Sequence, residues 1–348
     1  MKNNIKKKFK KINSLVKTSS NNKFLIDVIT SEFILIYFHL ERILYNRKYV
    51  GNIYSSTDKM LSNLLVKIND IKPLTNNLDN KIVKLEKKKI HSNHMYVFQN
   101  LWSKYNKKEF IKNRLNSYIR RVKINNLKPL IKNKTVMDYG CGHGQFLMAI
   151  KKLGASKCLG IDFGRKSINY AKSISKTLKI SNDLSFKEGD VATYKVRKNF
   201  YDFAIQNGVF HHIDTEKREL AAYKNVHRSL KKGSFFWVYT QGGGGLYQLI
   251  YNNIYETLKR FDKKEIINII FSKNITINKK YVLSDNFTTK YRFNSWSKLK
   301  NDLTKIGFRF VRPLKGGLIT DFDKDNTKDK KFKAKFGEGQ IRALFKKV

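Results

Sequence analysis

The chain is poor in the residues that punctuate or staple a fold. Three of its 348 residues are proline, Pro73, Pro129 and Pro313, so proline-rich linkers are excluded. Two cysteines, Cys141 and Cys158, cannot build a disulfide framework. They form no Cys-x-x-Cys pair either, which points to a reducing cytoplasm. Long hydrophobic runs are also missing. Residues 24–44 are the most apolar stretch, but Asp27, Glu32, His39, Glu41 and Arg42 interrupt it. It falls short of the roughly 18 to 20 apolar residues that span a bilayer. The first residues, Met1 to Lys8, carry lysines where a signal peptide needs an apolar core. A soluble, cytoplasmic protein is expected.

Acidic residues are scarce as well. Twenty-seven Asp and Glu face 72 Lys and Arg, a net charge of +45. Such an excess attracts phosphate backbones, so a nucleic-acid partner is considered from charge alone. The charge is spread, however. Residues 131–240 hold 20 basic and 9 acidic residues, and the rest of the chain 52 and 18, similar densities. The chain is rich in Lys, Asn and Ile throughout, as a coding bias on exposed positions would produce. What is present in quantity is apolar: 41% hydrophobic and 13% aromatic residues, enough for a folded core.

Residues 1–22 are polar, with six lysines and no acid in the first twelve, and read as a basic, frayed tail. Residues 23–94 read as a helical extension, apolar at Phe24, Val28, Leu35, Phe38 and Ile43, ending in a polar connector from about 69. Helical spacing returns through Phe98, Leu101, Trp102, Tyr105, Phe110, Leu115 and Tyr118. Strand-like runs then alternate with helical ones: strands at 135–139, 158–162, 184–187, 201–206 and 234–240, helices near 145–153, 165–178 and 215–230. This alternation predicts an α/β domain over 95–348, with a parallel sheet covered by helices on both faces. A helical insertion over 245–272, a helix near 295–306 and strands at 308–311 and 340–345 complete it.

One segment carries chemistry. Val136 to Tyr139 is an apolar strand holding Asp138, followed by Gly140-x-Gly142-x-Gly144 and a helix start at Gln145. Glycine lets a backbone turn sharply and approach a ligand, and the helix start presents free N–H groups. The spacing is not the Gly-x-Gly-x-x-Gly of dinucleotide folds, and no Gly-Lys-Ser/Thr of a phosphate loop follows. Downstream, Leu159-Gly160-Ile161-Asp162-Phe163 closes the second strand with a carboxylate 18 residues beyond Gly144. Glu188-Gly189-Asp190-Val191 follows the third strand. The fourth reads Tyr201-Asp202-Phe203-Ala204-Ile205-Gln206-Asn207-Gly208-Val209-Phe210-His211-His212-Ile213, and Leu230-Lys231-Lys232-Gly233-Ser234 precedes the fifth.

In this order the elements resemble the class I S-adenosylmethionine-dependent methyltransferases, over about residues 95–348 and not over 1–90. Lys232 and Ser234 stand where the family has proline and a second glycine. The resemblance implies a Rossmann-like class I methyltransferase fold, a seven-stranded mostly parallel sheet, with S-adenosylmethionine as cofactor. It implies that Asp138 orients the cofactor's methionine end and that Gly140, Cys141, Gly142 and Gly144 form the turn that admits it. Asp162 would bind the ribose and Phe163 pack on the adenine. Asp190 and the Val191 backbone would meet the adenine edge, and Gln206 and Asn207 would line the pocket near the sulfonium.

Asp162 and Asp190 also suit ordinary capping and turn roles. His211, with His212, either packs beneath the cofactor loop or acts as a base. No metal is expected, since no further ligands cluster near the pair. Cys141 suits a small filler. Trp102, Tyr105 and Arg114 either close the cofactor site or pack. Tyr247, Tyr251 and Tyr255, four apart, form either a packed helix face or a lid, with Gly242 to Gly245 as its hinge. The acceptor is expected to be a small-molecule or medium-sized organic compound methylated at O, N or C. An RNA or other polyanion acceptor and a non-catalytic scaffold stay open, as does the oligomeric state.

Overall fold

The computed structural model describes residues 2–16, 22–46, 51–75, 107–317 and 328–348. The chain divides into two compact units, one of residues 1–89, 244–290 and 334–337, the other of 90–243, 291–333 and 338–348.

The first unit opens with α1 (Lys2–Val16), α2 (Lys23–Tyr45) and α3 (Ile53–Thr75). The expected frayed tail is corrected over residues 2–16, which form a helix whose lysines surround a buried apolar stripe. Ile5, Phe9, Ile12 and Val16 recur at helical spacing and are fully buried, with α1 packed on α3. Lys8 is tethered to Asp58 at 2.7 Å. The polar composition of this stretch concealed four apolar positions on one stripe. Asn22 caps α2 by accepting from the Leu25 N–H at 3.0 Å. The connector expected from residue 69 starts later, because α3 continues to Thr75. Its remainder, with Phe98, Leu101, Trp102 and Tyr105, lies outside the described residues.

The described part of the second unit opens with a helical turn, Lys107–Glu109, and a π-helical stretch, Phe110–Leu115, that runs into α4 (Asn116–Ile124). The short α5 (Lys128–Ile131) carries Pro129 in its first turn, where a missing N–H costs nothing. Then follow β1 (Thr135–Tyr139), α6 (Gln145–Lys152), β2 (Lys157–Asp162), α7 (Arg165–Thr177), β3 (Leu184–Glu188), β4 (Tyr201–Asn207), α8 (Glu216–Ser229) and β5 (Leu230–Gln241). Thr215 caps α8 by accepting from the Arg218 N–H.

The chain next returns to the helical unit through α9 (Gly245–Leu258), α10 (Lys263–Ser272) and α11 (Ile277–Thr288). The insertion expected over 245–272 is thus one helix longer, and it groups with the N-terminal helices rather than with the sheet. Ile277 to Thr288 was missed because its polar and apolar residues scatter around the axis. Tyr251 is buried with its hydroxyl on the Thr289 carbonyl at 2.5 Å, and Tyr247 stacks on it at 6.3 Å. Tyr251, the middle of the three tyrosines, therefore packs inside the helical unit, while Tyr247 and Tyr255 are half-buried. The chain ends with α12 (Trp296–Ile306), β6 (Phe308–Pro313), α13 (Lys330–Phe336) and β7 (Gln340–Lys347).

The sheet has seven strands in the order β3-β2-β1-β4-β5-β7-β6. All pairs are parallel except those of β7, which runs antiparallel to both β5 and β6. Val136 to Tyr139 are consecutively buried, as are Phe203 to Gln206, so these central strands are covered on both faces. Strand order reverses between β1 and β4. In a parallel sheet that reversal opens a crevice at the strands' carboxyl ends, where ligands bind.

Replacing Phe9 by alanine should cost about 3 kcal/mol of stability, as for other fully buried aromatics. Chemical denaturation followed by circular dichroism checks this. A change below about 0.5 kcal/mol would return α1 to the status of a solvated tail.

Candidate functional site

The crevice at the β1/β4 reversal is built first by backbone. The Gly140 and Cys141 N–H groups both donate to the Ile161 carbonyl, at 2.8 and 2.9 Å, so the turn after β1 is laced to the end of β2. Gly142 has φ +53°, and a Cβ there would meet nothing within 4 Å. Open space therefore stands over Gly142, while Gly140 is closely covered by Val209 and Gly144 by Phe186. One wall is further closed by Gly160, where a Cβ would fall 2.7 Å from the Cys141 sulfur. Cys141 is buried, and burial raises its thiol well above the usual range.

Two carboxylates face this turn from inside. Asp162, at the end of β2, accepts from the Gly142 N–H at 2.9 Å and from the Gly164 N–H at 2.8 Å. Burial nevertheless pushes its carboxyl up to about 6, those two bonds resisting the rise. Asp138 in β1 is 2% exposed. Burial first, and the Asp162 charge second, hold it well above the usual carboxylate range. Two buried carboxylates beside an open turn, Asp162 held by backbone N–H groups rather than by a cation, suit hydroxyl and ammonium donors. Phe163, half-buried, follows Asp162 directly.

The other expected residues fall around the same strand ends. Asp190, past β3, accepts from the Ala192 N–H at 2.8 Å and from Arg218, and the Val191 carbonyl accepts from Asn225 at 3.0 Å. Asn207 ends β4, donating to the Tyr118 hydroxyl at 3.2 Å and accepting from the Trp237 indole at 3.2 Å. Gln206 points the other way. Its Oε1 accepts from the Tyr239 N–H at 3.1 Å, and its Nε2 is buried without a hydrogen-bond partner among the described residues. His211 is 3% exposed, with ring centroids of His212, Tyr291 and Tyr239 at 4.4, 5.0 and 6.0 Å.

Several contributors escaped sequence reasoning. Tyr118 is buried on α4, stacked on Phe146 at 4.8 Å with the Arg121 guanidinium 4.7 Å from its ring. Burial would raise its phenol, yet Arg121 and Arg114 bring it below the usual tyrosine range. His143, between two glycines of the turn, packs edge-on to Tyr170 at 4.9 Å. Burial, with Arg114 adding, drives its imidazole down to about 3, so it is neutral. Trp237 and Arg218 had no signal beyond their places in β5 and α8. Tyr118 lay on a visible helical stripe, but only the packing of α4 sets it beside Asn207.

The residues present fit an adenosyl cofactor bearing a charged amino-acid end: buried carboxylates for its hydroxyls and ammonium, and a glycine turn left open over Gly142. Residues 130–270 match the sequence profile of a methyltransferase domain. The human EEF1A lysine methyltransferase 2 is 30% identical over 132 residues, 36% of this chain and 52% of that protein. The mRNA cap guanine-N(7) methyltransferase of Schizosaccharomyces pombe is 26% identical over 129 residues, 34% of this chain and 36% of that protein. The chain thus spans about half or less of the length of these curated relatives. Among solved structures, a TehB-like SAM-dependent methyltransferase from Corynebacterium glutamicum aligns at 14% identity with a TM-score of 0.45. That alignment covers 74% of this chain and 100% of that one. Residues 130–270 thus carry a methyltransferase domain, with 130–243 of the matched segment in the sheet unit and 244–270 in the helical unit.

Proposed function

We propose that the protein transfers a methyl group from S-adenosylmethionine to a small or medium-sized organic acceptor, at oxygen, nitrogen or carbon. The observation that carries this reading is the open space over Gly142, backed by the buried carboxylates Asp138 and Asp162. The cofactor supplies a methyl already activated on a sulfonium sulfur. The protein's work is then alignment and exclusion of water rather than activation.

Each residue has a part in that work. Asp162 takes the ribose hydroxyls, its Gly142 and Gly164 bonds keeping the carboxylate from turning. Asp138 takes the ammonium of the methionine end, and Gly142 leaves the room. Phe163 covers the adenine, and Asp190 with Val191 reads its edge. Asn207, clamped between Tyr118 and Trp237, presents a fixed amide at the end of β4. Around it Tyr239, Tyr291, His211 and His212 make an aromatic wall suited to an organic acceptor. His211 serves as base where the acceptor must shed a proton, and otherwise holds that wall. The two named relatives take, by name, a lysine and a cap guanine, so the acceptor assignment rests on this wall alone.

Calorimetric titration with S-adenosylmethionine should give saturable binding, and NAD⁺ none. Asp162→Ala should weaken it by about 3 kcal/mol, roughly 100-fold, the worth of hydrogen bonds to a buried charge. No binding to a folded sample would sink the proposal. Affinity should also fall with acidity. Because the Asp162 carboxyl is raised to about 6, it is largely protonated at pH 5 and ionised at pH 7. Its ionised form is the acceptor, so the dissociation constant should rise about tenfold between pH 7 and pH 5. In Asp162→Asn that step should vanish. A wild-type profile flat over this range would remove Asp162 from the site.

A further inference from the structure

The loop that follows β3 is held by a helix from elsewhere in the sheet unit. Gly189 donates to the Asp162 carbonyl at 2.9 Å, so the loop starts against the end of β2. Within it the Thr193 and Tyr194 N–H groups return to the Asp190 carbonyl at 3.1 and 2.8 Å. The Ala192 N–H takes Asp190 Oδ1 at 2.8 Å, which sets the side chain from one side. From the other side Arg218, in the first turn of α8, donates its Nη2 to Asp190 Oδ2. Its Nη1 holds Asp214 Oδ1 at 3.1 Å, so the guanidinium is itself fixed by a second carboxylate. Two turns along the same helix, Asn225 donates to the Val191 and Tyr194 carbonyls at 3.0 and 2.9 Å. One face of α8 therefore grips the first part of the loop, at Asp190, Val191 and Tyr194.

This grip has little value as stability. The Arg218 and Asp190 side chains are 31% and 29% exposed, and an ion pair that wet contributes little. Its value is geometric, because a charge-assisted bond from a planar guanidinium fixes the plane of the carboxylate. An ionised carboxylate has about four acceptor positions. It can thus be held and still receive an amino group.

We infer that Arg218 is a positioning residue for base recognition, presetting Asp190 to accept from the 6-amino group of a purine. The inference rests on the cofactor reading above, in which Asp190 meets the adenine edge. Arg218 touches no cofactor atom in this account. It acts through Asp190, and its effect is selectivity for a 6-amino over a 6-oxo base.

The test titrates S-adenosylmethionine and its 6-oxo, inosyl counterpart against wild type, Arg218→Ala, Arg218→Lys, Asp190→Ala and the Arg218→Ala/Asp190→Ala double variant. Wild type should prefer the amino form. Arg218→Ala should cut that preference about tenfold by weakening the amino form, a loss in the range of one charge-assisted bond. Arg218→Lys should recover part of it. The double variant should lose no more than Asp190→Ala alone, since the two act as a unit. Equal weakening of both cofactors by Arg218→Ala, additive losses in the double variant, or no change at all would each overturn the inference. Wild type binding neither compound would instead bring down the underlying cofactor reading.

Discussion

The site depends on one desolvated carboxylate. Asp162 lies at the end of β2 and binds two backbone N–H groups, one from the turn after β1 and one from the start of α7. Burying a charge without a cation is costly, and the rise of its carboxyl to about 6 expresses that cost. Evolution of a stable fold alone would replace such a group. A ligand that brings hydroxyls to it reverses the balance, which is why strained titration marks functional sites. Asp138 nearby meets the same burial cost, and the Asp162 charge adds to the rise of its carboxyl.

The rest of the sheet unit exists to hold that arrangement rigid. The parallel strands give β1 and β2 a common end, and their register sets Asp138 opposite Gly160. Gly160 in turn leaves room for the Cys141 sulfur, so the turn can lie flat against the sheet. A lacing of backbone bonds from Gly140 and Cys141 to Ile161 completes it. Tyr118 and Trp237 then fix Asn207 from two different elements, α4 and β5. Asp162 and Asn207 are thus both placed by groups outside their own strands.

Lysine, the most conspicuous feature of the composition, proves to have structural uses beyond solvation. Lys263 donates to the Thr288 carbonyl, Lys280 to Phe271, and Lys335 to Ile43 and Asn46, all near the ends of helices. Lys347 does the same for His227 and Leu230 in the sheet unit. Carbonyls at helix ends lack intrahelical partners, and a long flexible cation satisfies them while complementing the helix dipole. Part of the +45 charge is thereby accounted for by the fold, without a polyanion.

What the sequence determined by itself was the order of the elements and the turn that carries the chemistry. Short β-rich runs alternating with helical ones located all seven strands to within a few residues, and Gly140-x-Gly142-x-Gly144 with Asp138 and Asp162 was legible because a close backbone approach admits so few residue types. Those signals are local: each is written within about ten residues of chain. Only the tertiary structure decided that the tail is a packed helix, that the insertion joins the N-terminal helices, and that Tyr118, Trp237 and Arg218 serve the strand ends. Their roles depend on partners 28 to 89 residues away in the chain, as in Arg218 to Asp190 and Tyr118 to Asn207. A tyrosine or arginine at such a position looks like any other surface or core residue until packing brings its partner within reach. Composition misled at α1 for the same reason, since four buried apolar residues decide a helix's place while ten polar ones decide how it reads.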